Sequence, residues 1–400
     1  MKVVDVAEYY AEKGGGVRTY VDQKLRAGAD LGHEVVVVAP GPKDREEERA
    51  GGRVVWVEGP PVPGDPRYHL FVRPSRVHAV LDREAPDVVE GSSVYGGGWS
   101  VATWRGPAKK SLVYHQDPVS VFGHSLFDRL VPAAGIDRLM FPVWLGLRAL
   151  ARRFDTTVVA GQWLARRLSG FGVPHVDVIP FGIDPGPFLR SRPDPALRAA
   201  LLEAAGVPPA APLLVAVSRH HPEKRLPTII RAVHHVARAT PIALAIFGDG
   251  PSRRAVERAA AAGPGVLVAG YTRDRSELAR AVASADALLH GSAAETYGLV
   301  LAEALCAGTP LIVPDAGGAH DLARLEHSEV YRTGDSAACA AAIRRMLIRD
   351  RAGLRDACRA AARTQVWTAA RHFEALFAHY ARLEQGADRA SATVEPNGRW

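Results

Sequence analysis

The chain is 400 residues long, 47% hydrophobic and 23% charged, with a formal net charge of +7. Composition of this kind excludes wholesale disorder, and the length suits two or three domains. The positive charge fits an anionic ligand, an anionic membrane surface or nucleic acid, or else reflects an Arg- and Ala-rich composition without functional meaning.

Taken along the chain, β-branched runs alternate with helical patterns. A strand at 3–6 precedes a helix at 17–31, and further strands are predicted at 34–39, 53–58, 87–90, 111–115, 156–160 and 176–180. Val35-Val36-Val37-Val38 is the uninterrupted apolar run of a strand buried on both faces of a parallel sheet. The Pro- and Gly-rich segment 181–212 reads as an interdomain connection carrying one helix, 195–205. A second series follows, with strands at 213–218, 242–247, 266–269, 287–290, 310–313 and 329–331. Its helices are expected at 226–239, 252–262, 275–283, 298–307, 335–349 and 351–363. A last helix, about 367–384, places Trp367, Phe373, Leu376, Phe377, Tyr380 and Leu383 on one side, and 386–400 reads as a disordered polar tail. The alternation implies an α/β fold of two doubly wound domains. Ligands of such sheets bind at the carboxyl ends of strands and at domain interfaces, so a cleft between the domains is the expected site.

Cys306, Cys339 and Cys358 match no metal-binding spacing and, being odd in number, no full disulfide framework, which suits a reducing cytosol. Asp5 interrupts any leader-type apolar run, and the longest near-spanning stretch, 139–147, is too short and contains Pro142.

Four groups of residues carry chemistry. Gly14-Gly15-Gly16, between a strand and a helix, lets backbone N–H groups approach an anion, or simply makes a tight turn. Arg219 and Lys224, in the loop Ser218-Arg219-His220-His221-Pro222-Glu223-Lys224-Arg225, can converge on one diphosphate, or form a solvated basic loop. Glu295 sits before a helix and Glu303 inside it among apolar neighbours; each suits polyol hydroxyls. The alternatives are dipole compensation for Glu295 and an ion pair with an arginine for Glu303. His115, in Tyr114-His115-Gln116-Asp117, stands at a strand end facing the expected cleft, or is a structural histidine beside a carboxylate.

In this order, the glycine turn, the strand-end His, Arg-x4-Lys and Glu-x7-Glu resemble the family-4 retaining glycosyltransferases of the GT-B architecture. Further matches are Val178-Ile179-Pro180-Phe181-Gly182-Ile183-Asp184, Phe247-Gly248-Asp249-Gly250-Pro251, Gly270-Tyr271, Ser284-Ala285-Asp286 and Gly308-Thr309-Pro310. The resemblance implies an N-terminal Rossmann-like acceptor domain, 1–183, and a C-terminal nucleotide-sugar donor domain, 184–366. The helix at about 367–384 would cross back to the first domain. It implies that Gly15 and Gly16 approach the donor phosphate, Arg219 and Lys224 neutralise the diphosphate, and Glu295 holds the sugar hydroxyls. Thr296, Tyr297 and the backbone of Gly298, Leu299 and Val300 would complete the donor site. Glu303 would bind the ribose, Tyr271 would border the base, and His115 would lie near the reacting face of the sugar. Glu295, His115, Arg219 and Lys224 are thus the expected catalytic set. Neither a metal nor a resident cofactor is expected, only the nucleotide-sugar co-substrate, and transfer would proceed with retention. Phe181 stands where the family usually has Asn, Ser218 and Arg225 where it often has glycine, and Tyr297 where it often has Phe.

More loosely, the chain resembles the branch that includes sulfoquinovosyl-diacylglycerol synthases and mannosyltransferases. That implies GDP-mannose or a UDP-hexose as donor and a lipid or glycan acceptor. The apolar and Arg-rich stretch 138–153 reads as a contact with the inner, anionic face of a membrane, or as a buried helix. Cytoplasmic placement is expected, and nucleic acid is the least favoured partner. A GT-B epimerase or phosphorylase, or a non-catalytic nucleotide-sugar binder, is the alternative function.

Overall fold

The computed structural model describes residues 1–12, 16–63, 65–124 and 133–386. Gly15, and the tail 387–400, lie outside them. The chain divides into two compact units: Met1–Ser111 with Arg153–Asp155 and the chain from Phe373, and Leu112–Arg152 with Thr156–His372.

The first unit holds β1 (Lys2–Val6), β2 (Glu34–Gly41), β3 (Arg45–Arg49), β4 (Gly52–Glu58), a small hairpin of β5 (Pro61–Val62) and β6 (Asp65–His69), and β7 (Val88–Gly91). Its sheet runs β7-β1-β2-β4-β3, parallel except for β3. Arg-Glu-Glu-Glu-Arg gives β3 no apolar face, so composition hides it. As a charged edge strand it discourages further pairing. The helix Gly16–Asp30 lies close on β2: a Cβ at Gly28 would stand 2.4 Å from Val35 Cγ2.

Phe373, Leu376, Phe377 and Tyr380 of the last helix, Ala369–Glu384, are buried as their spacing predicts. Tyr380 reaches a fully buried polar cluster. Its hydroxyl donates to Glu90 at 2.6 Å, and Lys24 Nζ lies 2.6 Å from Asp5 and 2.5 Å from Glu90. Ser92 donates to both carboxylates. With one ammonium between two carboxylates, burial and the Glu90 charge push Asp5 up to about 6. Burial disfavours charge on Lys24 too, but the two carboxylates outweigh it and hold its pKa above the usual lysine value.

Strand β8 (Lys109–Val113) runs through the division between the units. The second unit then holds β9 (Thr156–Val159), β10 (Val176–Val178) and β11 (Gly182–Ile183). There follow β12 (Leu213–Val217), β13 (Ala243–Phe247), β14 (Val266–Gly270), β15 (Ala287–Leu289), β16 (Leu311–Pro314), β17 (Ser328–Tyr331) and β18 (Trp367–Thr368). Its six-stranded parallel sheet has the order β14-β13-β12-β15-β16-β17. Ile229, Val233, Leu244, Ile246, Ile312 and Ile343 pack in the core that covers it. The strand order reverses between β12 and β15, the switch point at which a doubly wound sheet opens for a ligand.

The compact units are drawn differently from the expected boundary at 183. Residues 112–152 and 156–183 go with the second unit because their contacts do. The Thr296 hydroxyl donates to the His115 carbonyl at 3.3 Å, and the Asp321 carboxylate accepts the Trp163 N–H at 2.7 Å. Phe181 stacks on His115 at 5.6 Å and meets Tyr297 and His372 edge-on. The chain rejoins the first unit at Phe373, after β18 has paired with β11.

The apolar stretch 139–147 is not one element. Two helices, Ala133–Leu139 and Phe141–Ala151, meet there, with Pro142 in the first turn of the second. Trp144, Leu147 and Leu150 are buried, whereas Leu139, Phe141, Val143 and Leu145 are exposed. No helix among the described residues is long and apolar enough to cross a membrane. All three cysteines are free and buried.

Candidate active site

Two loops leave the carboxyl ends of β12 and β15, on either side of the switch point, and bring distant charges together. Lys224 Nζ lies 2.6 Å from Glu295 Oε1 and 3.4 Å from Glu223. Burial alone would push the Glu295 carboxyl up, but Lys224 outweighs it and holds the pKa below the usual carboxylate range. The same partners hold Lys224 above the usual lysine value against its own burial. His290, 4% exposed, places Nε2 3.6 Å from Glu295, and burial brings its pKa down to about 4, so it faces the carboxylate neutral at pH 7. Arg219 is exposed, and no described residue pairs with its guanidinium.

The backbone fixes these loops. Gly298 opens the helix Leu299–Ala307 with φ +90°, a conformation that favours glycine, and no side chain caps that helix. Gly318 packs so closely beneath the Glu295 loop that a Cβ would fall 2.5 Å from the Thr296 carbonyl carbon; its N–H donates to the Glu295 carbonyl at 2.7 Å. Arg225, where the family often has glycine, holds φ 49°. Thr296 and Tyr297 are buried, Leu299 is exposed, and Val300 is half-buried on the helix.

Glu303, 8% exposed, is pushed up by burial and paired with Arg275 at 2.6 Å. The arginine partner anticipated from its apolar surroundings is therefore present. Tyr271, 71% exposed, follows β14. His115 is half-buried against Phe181. Gly16 begins the first helix of the other unit, where a Cβ would meet nothing. The second unit thus gathers Arg219, Lys224, Glu295 and Gly298 around one switch point. His290, Glu223 and Arg275 were missed: a strand-end histidine, a loop acid and a helix-start arginine look ordinary until the fold pairs them. Neither ring nitrogen of buried His220 has a hydrogen-bond partner, and no cluster suited to a metal occurs among the described residues.

Residues 14–186 match the family model described as Glycosyltransferase Family 4, and residues 211–349 match Glycosyl transferases group 1. A GDP-mannose-dependent alpha-(1-6)-phosphatidylinositol dimannoside mannosyltransferase of Mycobacterium tuberculosis is 30% identical over 349 residues, 85% of this chain and 84% of that one. The chain is a family-4 glycosyltransferase. The sulfoquinovosyl transferase of Arabidopsis thaliana is 27% identical, over 83% of this chain and 64% of its own length. Among solved structures, a sucrose-phosphate synthase from Thermosynechococcus elongatus superposes with a TM-score of 0.75 at 20% identity, covering 96% of this chain and 99% of that one. It shows the GT-B fold.

Proposed function

We propose that this glycosyltransferase moves a hexose, with retention and without a metal, from a nucleotide-diphosphate sugar to a hydroxyl of a lipid or glycan acceptor. The observation that carries the reading is the Lys224–Glu295 pair at the switch point, 2.6 Å apart, with exposed Arg219 in the same loop as Lys224. Lys224 and Arg219 neutralise the departing diphosphate, and the uncapped N–H groups at Gly298–Val300 add dipole to that end. Glu295 orients sugar hydroxyls, Glu303 the ribose, and Tyr271 borders the base. His115 stands at the reacting face. A phosphate oxygen accepts the acceptor's proton, so rate comes from charge stabilisation and positioning. GDP-mannose is the first donor to test, because the mycobacterial relative is named for it; a UDP-hexose is the second.

Residues 138–153 are the proposed contact with an anionic membrane, supported by exposed Leu139, Phe141, Val143 and Leu145 next to exposed Arg138. Proton NMR of the anomeric product, formed in excess EDTA from each donor, tests the first reading. Inversion, or dependence on added divalent metal, would overturn it. Co-sedimentation with phosphatidylglycerol vesicles at low salt tests the second; activity without any vesicle binding would refute it.

A further inference from the structure

A second cluster of charge lies at the opposite end of the same sheet. A cavity of about 90 Å³ is lined by Arg198, Arg351, Arg355, Asp286 and the apolar Met346 and Leu354. It also touches Pro212 and Pro310. Pro212, Asp286 and Pro310 immediately precede β12, β15 and β16, so this cavity sits at the amino ends of the strands. The proposed donor loops leave the carboxyl ends, one strand length or roughly 15 Å away.

The charges here do not balance. Three guanidinium groups surround a single carboxylate, and Asp286 is only 5% exposed. Arg198 donates to Asp286 at 2.9 Å and to the Ser284 and Ala211 carbonyls at 2.8 and 3.0 Å, so it is fully engaged. Asp286 also accepts the Leu213 N–H at 2.8 Å and pairs with Arg351. Arg355 donates from Nη2 to the Ala283 and Ala285 carbonyls, at 3.0 and 3.2 Å. Its Nη1 is buried and has no hydrogen-bond partner among the described residues. Burial, joined by repulsion from neighbouring arginines, lowers the pKa of both Arg351 and Arg355. A buried donor left unmade costs about 1–3 kcal/mol, more when charged, and an unmade guanidinium N–H in such a place implies a ligand or ordered water.

We propose that this cavity is a second anion site, which takes a phosphoryl group between Arg351 and Arg355. The volume is about that of three waters, enough for one tetrahedral oxyanion. A planar fork offering several N–H groups suits that shape. The proposal does not depend on the donor reading, since none of these residues belongs to that site.

The test is thermal unfolding of the full chain against sodium phosphate, with sodium chloride at matched ionic strength as reference, because binding to the native state raises Tm by mass action. Phenyl phosphate is run alongside: if it matches phosphate, the site takes a phosphoryl group on a larger molecule, and if only orthophosphate acts, it takes the free ion. Wild type and Lys224→Met are expected to show the same saturable rise. Arg351→Gln, at a side chain 63% exposed and so tolerant of change, should need roughly tenfold more phosphate. Arg355→Gln should behave likewise if it folds. No saturable rise, or a rise lost in Lys224→Met and kept in Arg351→Gln, would overturn the proposal.

Discussion

Glu295→Gln separates two consequences of the Lys224–Glu295 pair. At 2.6 Å and an effective dielectric of about 20, the gross attraction between the two charges is about 6 kcal/mol. A diphosphate that recruits Lys224 must compete with that attraction. Most of the gross figure is cancelled by solvation of the separated charges, and a net charge-assisted contact leaves roughly 1.5 kcal/mol. Neutralising Glu295 while keeping its shape should therefore tighten nucleoside diphosphate binding by about tenfold. It should also lower kcat by roughly 10²–10³, the usual cost of losing one positioned electrostatic partner. Lys224→Met should instead weaken diphosphate binding and slow transfer together. Isothermal titration with GDP and UDP, beside steady-state turnover, reads both effects. If Glu295→Gln binds diphosphate more weakly than wild type, Lys224 is not the group that the diphosphate recruits, and the reasoning fails.

Three further outcomes are expected. Lys24→Met leaves Asp5 and Glu90 buried without their ammonium and should cost about 3–5 kcal/mol, read from urea unfolding; a loss below about 1 kcal/mol would contradict the network. His290 and His327 are both pushed down to about 4 by burial, and folding keeps them neutral. Their contribution is therefore fully present above the unfolded value near 6.5 and is lost as pH falls toward 4, so the denaturant midpoint should drop between pH 7 and pH 5, and His327→Gln should flatten that drop. Asp5, raised to about 6, acts in the opposite sense, favouring the fold in acid and losing that contribution as pH rises through 6; Asp5→Asn isolates this arm. Ala85→Gly should stabilise by roughly 1 kcal/mol, because Ala85 ends the helix Pro74–Glu84 at φ 46°; an unchanged urea midpoint would show that the turn carries no such cost.

What could be read from the residues follows from how far apart interacting groups lie in the chain. Val35–Val38 and the spacing of Phe373, Phe377 and Tyr380 announce a buried strand and an amphipathic helix because each pattern is local. Strand β3 escapes because all five of its residues are charged and leave no apolar alternation to read, and only β4 gives them a partner. The division between the units escapes for a different reason: Pro- and Gly-rich 181–212 looks like a connection, yet Phe181 is anchored to His115, Tyr297 and His372.

The candidate site shows the same limit from the chemical side. Lys224 and Glu295 are 71 residues apart, and each alone fits a solvated loop. Their pairing follows from sheet order: β12 and β15 are hydrogen-bonded neighbours although two strands intervene in sequence, so the loops leaving their carboxyl ends open side by side. The cation in one loop and the carboxylate in the other are then held 2.6 Å apart, and on the proposed reading an incoming anion would exchange for Glu295. Residue identity supplies the charges, and the order of the strands decides that Glu295 is the anion already paired with Lys224.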